Sequence, residues 1–377
     1  MPLRATLSSY WTTIQGELFP WLEEDLGPLT EKHKQLITVF EMARVEVFVQ
    51  TWYGLPGRPP ADRRALCRAF VAKAVLDLAT TKMLIERLKA DKTLRQLCGW
   101  ERRGRLPSES TFSRAFAEFA ESALPSLIHA ALIERTHKDR LVGHVARDST
   151  AIEAREKPVR IEEAKPRKRK RGRPKKGEEV QKPKRRLERQ REMTLAEMLA
   201  DLPKHCAVGT KRNAKGHKTS WIGYKLHIDV ADGDLPISAL LTSASLHDSQ
   251  AAIPLAKITV ERVINLYDLM DSAYDAPEIK ATSLDLGHVP IIDPHPRNIE
   301  GGKAEKATEA KRQRLINHYP AETIRYHQRS AGERVNARIK DEFGGRHVRV
   351  RGAPKVLCHL MFGMLALTVD QLIRLII

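Results

Sequence analysis

Asp148 and Asp271 each stand at the C-terminal end of an apolar or β-branched run, in LVGHVARDST and RVINLYDLMD. Further along come Tyr326, Arg329, Glu333 and Lys340, the last three at offsets of 3, 7 and 14 from the first. On one straight helix turning about 100° per residue, these four side chains point into a sector roughly 60° wide along about 21 Å. A tyrosine, two cations and a carboxylate on one face make a poor core. They suit a surface that holds phosphates and metal ions.

Two carboxylates about 4 Å apart repel by roughly 4 kcal/mol at an effective dielectric of about 20, so such a pair either shares a proton or spreads apart. A divalent cation reverses the sign. Oxygen ligands from Asp148, Asp271 and Glu333, with further positions left to water, fit Mg2+ or Mn2+ and not zinc. Two ions about 3.5 to 4 Å apart can activate an attacking oxygen and stabilise the leaving oxygen of a phosphodiester. The reaction class is then phosphoryl transfer on nucleic acid. Arg329 can grip a phosphate bidentately, Lys340 can add a point charge, and Tyr326 can stack on a base or hydrogen-bond a phosphate.

Such a site needs a rigid frame. LVGHVARDST, WIGYKLHIDV, PISALLTS, RVINLYDLMD and HVPIIDP read as strands, with a turn at residues 232–234, a helix starting near Asp248 and a long helix at the end. That order implies an α/β domain over residues 141–377 with a mixed sheet, the two aspartates at strand ends. Residues 1–135 show helical periodicity only, for example Leu66, Phe70, Val71, Ala74 and Val75, and read as an all-α N-terminal domain. Inside it, Pro107, Ser108 and Ser110 form a polar turn leading into a helix with Arg114. The pattern fits a helix-turn-helix or an ordinary helical hairpin equally well.

The 377 residues carry 65 Lys and Arg against 47 acidic residues, a net charge of +18. A pI near 9.8 is the footprint of a nucleic-acid binder. Between Arg155 and Glu192 lie 18 Lys or Arg and 7 Glu, so this tract supplies +11 of the total. With almost no large apolar residues it is expected to be disordered. Within it, Arg171, Gly172, Arg173 and Pro174 resemble an AT-hook, an extended segment suited to a narrow A·T minor groove, although a plain polybasic linker has the same composition. Cys67, Cys98, Cys206 and Cys358 are too scattered for a disulfide framework or structural zinc, and read as buried hydrophobes in a reducing compartment. No secretory signal is apparent at the N-terminus. Val356 to Val369 is apolar but short and interrupted, a core helix and not a membrane span.

The string YHQRSAGERVNARIK, a Tyr-x2-Arg-x3-Glu-x6-Lys pattern, resembles the motif of bacterial insertion-sequence DDE transposases of the insertion-sequence-four and insertion-sequence-five superfamily. ARDST around Asp148, GYKLHIDVADG, ASLHDSQ and MDSAYD around Asp271 support it, over roughly residues 140–365. The resemblance implies an RNase H-like catalytic domain whose catalytic and metal-binding residues are Asp148, Asp271 and Glu333 with two Mg2+ ions. Tyr326, Arg329 and Lys340 would then handle DNA ends. It also implies terminal inverted repeats and target DNA as partners, a homodimer, and a cytoplasmic, nucleoid-associated bacterial protein. Only 61 residues separate Asp271 from Glu333, without room for the large β-rich insertion of long-gap members, so the chain stands nearer the insertion-sequence-five side. A silent DNA-binding regulator of the same descent, and a nuclease that cuts without joining, remain open at this level.

The remaining polar residues are read as structural. His247 and Asp248 lie at a helix start. Asp229 alternates along its strand without a clear direction, Asp341 and Glu342 form a solvated helix face, and His205 has no partners at metal spacing.

Overall fold

The computed structural model describes residues 3–50, 60–138, 140–159, 184–212, 216–295, 302–317 and 319–376. The N-terminal third is helical as expected, from Leu3–Thr13 to Leu124–His137. Thr30, Thr80 and Asp91 each accept a hydrogen bond from a backbone N–H in the first turn of the helix that follows. Such caps fix where helices begin, at about 1 kcal/mol each.

The apolar faces of these helices converge on the last helix, Ala353–Arg374, which packs against Glu31–Ala43, Arg63–Val75, Glu109–Glu121 and Leu124–His137. The Phe362 ring lies 5.9 Å from Phe70, and Phe70 lies 4.9 Å from Phe116. Being apolar all round, this helix is buried among its neighbours. It is long and apolar enough to cross a membrane, but 78% of its most apolar stretch is buried inside the protein. All four cysteines are free and buried.

Among the described residues the sheet has six strands: β1 (Leu141–Glu153), β2 (Ala207–Arg212), β3 (Lys218–Ala231), β4 (Leu235–Ser243), β5 (Ile264–Met270) and β6 (Val289–Ile292). β3 pairs antiparallel with β1, β2 and β4, whereas β5 runs parallel to β1 and β6 parallel to β5. The sheet is mixed, in line with the RNase H-like expectation. The helices Ser249–Val260 and Pro277–Asp285 supply the crossovers that parallel strands require.

Several expectations are corrected. Asp148 is not at a strand end: β1 continues to Glu153 because the long β3 keeps pairing with it, Asp148 opposite Ile228 and Glu153 opposite Gly223. Asp271 does follow the last residue of its strand, Met270. β2 has no counterpart in the sequence reading. The C-terminal helix crosses the boundary expected near residue 140, since a single contiguous core holds residues of both the N-terminal helices and the sheet.

The basic tract is not disordered at its ends. Glu156 accepts from the Tyr224 hydroxyl at 2.6 Å and Val159 N donates to Cys206 O at 2.9 Å. At the far end Arg186–Gln190 is helical, anchored by Arg186 to Asp201 at 2.6 Å and to Gln250 at 2.6 Å. Composition shows that such a segment cannot fold alone, but it cannot show partners waiting elsewhere in the chain. Residues 98–108, between the helices Lys92–Leu97 and Glu109–Glu121, form a longer connection than the turn of about three to four residues in a helix-turn-helix.

Candidate active site

Strand register brings the two aspartates together. β1 pairs with β5 as Val145 to Asp268 and Ala146 to Leu269. The same spacing carried two residues further sets Asp148 level with Asp271, on neighbouring strands about 4.8 Å apart. Alternation then sorts their neighbours. Arg147, level with Met270, donates to its sulfur at 3.4 Å and forms a buried bidentate pair with Asp229 at 2.8 and 2.7 Å. Thr259 also donates to Asp229, at 2.6 Å. This ion pair lies on the opposite face to Asp148 and ties the sheet to the helix behind it.

On the near face lies the helix Ser330–Glu342. Gly332 meets the strand so closely that an added Cβ would come 2.7 Å from the Asp148 Cβ. One turn later the Asn336 side chain donates to Asp148 Oδ2 at 3.0 Å. Burial pushes the Asp148 carboxyl above its ordinary value and the Asp271 charge adds to the rise, while hydrogen bonds and the Arg329 charge oppose it. Asp271 is likewise raised, by burial and by Asp248, against the charges of Arg329 and Lys211 and a hydrogen bond from Ala273 N at 2.9 Å.

The polar stripe is not carried by one regular helix. Ala321–Tyr326 is followed by a 3-10 turn, His327–Arg329, before the helix resumes at Ser330. The Ser330 hydroxyl donates to His327 O at 3.0 Å, and the tightened turn packs on β1 and β5. Three residues at about 120° instead of 100° displace Tyr326 by roughly 60° relative to the later positions. Arg329 still lies over the Tyr326 ring, 5.7 Å from its centre, and donates to Glu333 at 2.8 Å. The Glu333 side chain is 58% exposed and that of Arg329 20%.

Asp148, Asp271, Tyr326 and Arg329 therefore share one neighbourhood, to which Glu333 is tied through Arg329. Among the described residues no three His, Cys, Asp or Glu side chains come close enough to hold one metal ion. Lys340 stands apart, in the last turn, where burial and the charges of Arg346 and Lys211 lower its pKa. Arg171 and Arg173 lie outside the described residues. Asp248 is bound to Lys225 at 2.7 Å and makes no side-chain capping bond to the helix it precedes, and the His247 ring is bound to the Ser249 hydroxyl at 2.8 Å.

Asn336 and Gly332, which set Asp148 against the helix, went unnoticed in the sequence reading. Their spacing from Glu333, Asn336 three residues after it and Gly332 one before, is the signal that the sequence offers. So did Tyr274, whose buried hydroxyl has no hydrogen-bond partner among the described residues and whose pKa is raised by burial and by the charges of Asp248, Asp148 and Asp271.

A family model described as Transposase DDE domain matches residues 143–369, and one described as Transposase domain (DUF772) matches residues 23–118. No curated protein and no solved structure matches the chain. The first match spans more than half of the sequence and includes Asp148, Asp271 and the whole Ser330–Glu342 helix. The chain belongs to the family of transposases defined by the DDE domain.

Proposed function

We propose that this protein is an insertion-sequence DNA transposase in which Asp148, Asp271 and Glu333 hold two Mg2+ ions, with Mn2+ able to substitute. It would cut the ends of its element and join them to target DNA. Membership of the family already makes it a DNA-acting, metal-dependent enzyme. What supports the roles of individual residues is the parallel register of β1 and β5, which, carried two residues past Ala146 and Leu269, would bring Asp148 level with Asp271, and the hydrogen bond from Asn336 to Asp148.

The donor set fits hard divalent cations. It offers only oxygen, and burial and neighbouring carboxylates hold both aspartates above their ordinary pKa, a cost that a cation relieves. Bound cations would supply Lewis acidity at the attacking and leaving oxygens of the phosphodiester. Glu333, now bonded to Arg329, would complete the set only by giving up that bond. Such an exchange would free the guanidinium to take a phosphate bidentately. Tyr326 lies against Arg329 and can stack on a flanking base, Lys340 adds a cation farther along the DNA, and Arg171 with Arg173 would hold an A·T-rich minor groove. The short interval between Asp271 and Glu333 favours the insertion-sequence-five side, and joining two ends calls for a homodimer.

The test is to incubate the protein and its Asp271→Asn variant with Mg2+ or Mn2+ and DNA carrying the sequences that flank its own gene. Metal-dependent cuts at paired repeats, absent in the variant and followed by joining to a second DNA, are expected. Binding without cleavage would replace this reading with a silent regulator, and cleavage without joining with a nuclease.

A further inference from the structure

β2 and the first part of β3 form a two-stranded ribbon, Ala207–Arg212 against Lys218–Gly223. Residues 207–223 contain no Asp or Glu. Direct pairing puts Val208 beside Ile222, Thr210 beside Ser220 and Arg212 beside Lys218 on one face. Val208, Thr210, Lys218, Ser220 and Ile222 are exposed, Val208 at 50% and Ile222 at 43%, and the Thr210 and Ser220 hydroxyls lie 3.2 Å apart. The face thus runs from apolar through hydroxyl to cationic along the ribbon.

The other face is locked. Trp221 covers Gly209 so closely that a Cβ there would sit 2.4 Å from the ring, and the indole N–H donates to Tyr224 O at 3.1 Å. Lys211 shares this face. It is exposed and makes no ion pair with any described residue, yet its charge is near enough to act on both Asp271 and Lys340. One side of the ribbon therefore lies within electrostatic reach of Asp271 and of Lys340 on the motif helix, and the other is open to solvent.

We propose that this ribbon is a DNA-docking element that grips the phosphate backbone of duplex DNA next to the bond being cut, through Lys211, Arg212 and Lys218. The proposal rests on the transposase reading and adds a contact surface to it. Three cations without a carboxylate match a polyanion, and a two-stranded ribbon is narrow enough to lie in or along a major groove about 12 Å wide. Trp221 makes the ribbon a fixed lever. A phosphate held by Lys211 would adjoin the strand lying over Asp271.

The test compares wild type with the triple variant Lys211→Gln, Arg212→Gln, Lys218→Gln, measuring affinity for duplex DNA bearing the element's ends at several salt concentrations. Each lost phosphate contact flattens the slope of log affinity against log salt by about 0.9, so a loss of roughly 2 to 3 units is expected. A charge-keeping variant, Lys211→Arg, Arg212→Lys, Lys218→Arg, should restore it, with thermal melting checking that all three proteins fold. Wild-type binding with an unchanged slope in the triple variant would overturn the ribbon proposal alone. So would a triple variant that loses self-association and keeps the slope, which would mark the ribbon as a protein interface. Failure of the wild type to bind DNA would overturn the transposase reading and this proposal together.

Discussion

Asn336 donates its side-chain N–H to Asp148 at 3.0 Å, across the seam between the Ser330–Glu342 helix and β1, while its own Oδ1 is buried without a hydrogen-bond partner among the described residues. The bond ties the central carboxylate to the helix that also carries Glu333. Replacing Asn336 by Leu should leave Asp148 free to turn, cutting the DNA cleavage rate about 10- to 100-fold with end binding retained. Single-turnover cleavage alongside equilibrium binding would check it, and an unchanged rate would show that Asp148 needs no such tether.

Asp148 and Asp271 should make the metal-free protein less stable at neutral pH. Both have raised pKa values in the fold, so the native state holds protons that the unfolded chain releases. The destabilisation is present above the raised values and is relieved as pH falls through them. Asp148→Asn and Asp271→Asn should therefore melt at higher temperature than wild type at pH 7 in chelator, with the gap closing in acid. Added Mn2+ should raise the wild-type melting temperature more than that of either variant. Both variants should lose cleavage and keep end binding within a few fold.

Gly332→Ala should act without changing any charge. Its methyl would meet Asp148 Cβ at 2.7 Å, a distance that forces helix and strand apart and costs about 1–3 kcal/mol. Chemical denaturation should report that loss, with cleavage falling by more than DNA binding does. A variant as stable and active as wild type would mean that the seam closes less tightly than found here.

Acid should destabilise the protein through histidines and not through the carboxylate pair. Burial depresses His129 and His359 to about 3 and His227 to about 4, from the ordinary 6.5. All three are neutral in the fold, so their stabilisation is complete above 6.5 and is lost as pH falls below it toward those lower values. At pH 5 each should cost about 2 kcal/mol relative to neutral pH. Denaturation midpoints between pH 7 and 5 would reveal the slope, and His359→Gln should flatten it by one proton's worth.

The chemistry was legible because it lies in residue type and spacing. Two aspartates after apolar runs, and a Tyr, Arg, Glu and Lys spaced for one helix face, point to a polyanion and hard cations whatever the fold. Helices and most strands could also be read, since buried faces impose a period on the chain. The ribbon strand β2 was hidden, because AVGTKR is short, half polar and follows a segment chosen for charge.

What the sequence by itself determined was the family and the mixed α/β class, and it singled out the candidate residues for metal and DNA, all properties of local order along the chain. Tertiary structure alone decided that β1 and β5 lie parallel in a register that levels Asp148 with Asp271. It also decided that a 3-10 turn packed on β1 and β5 skews the motif stripe, and that the last helix joins the N-terminal core. Each depends on contacts between residues tens to hundreds of positions apart, and such contacts leave no period or motif in the segments that make them.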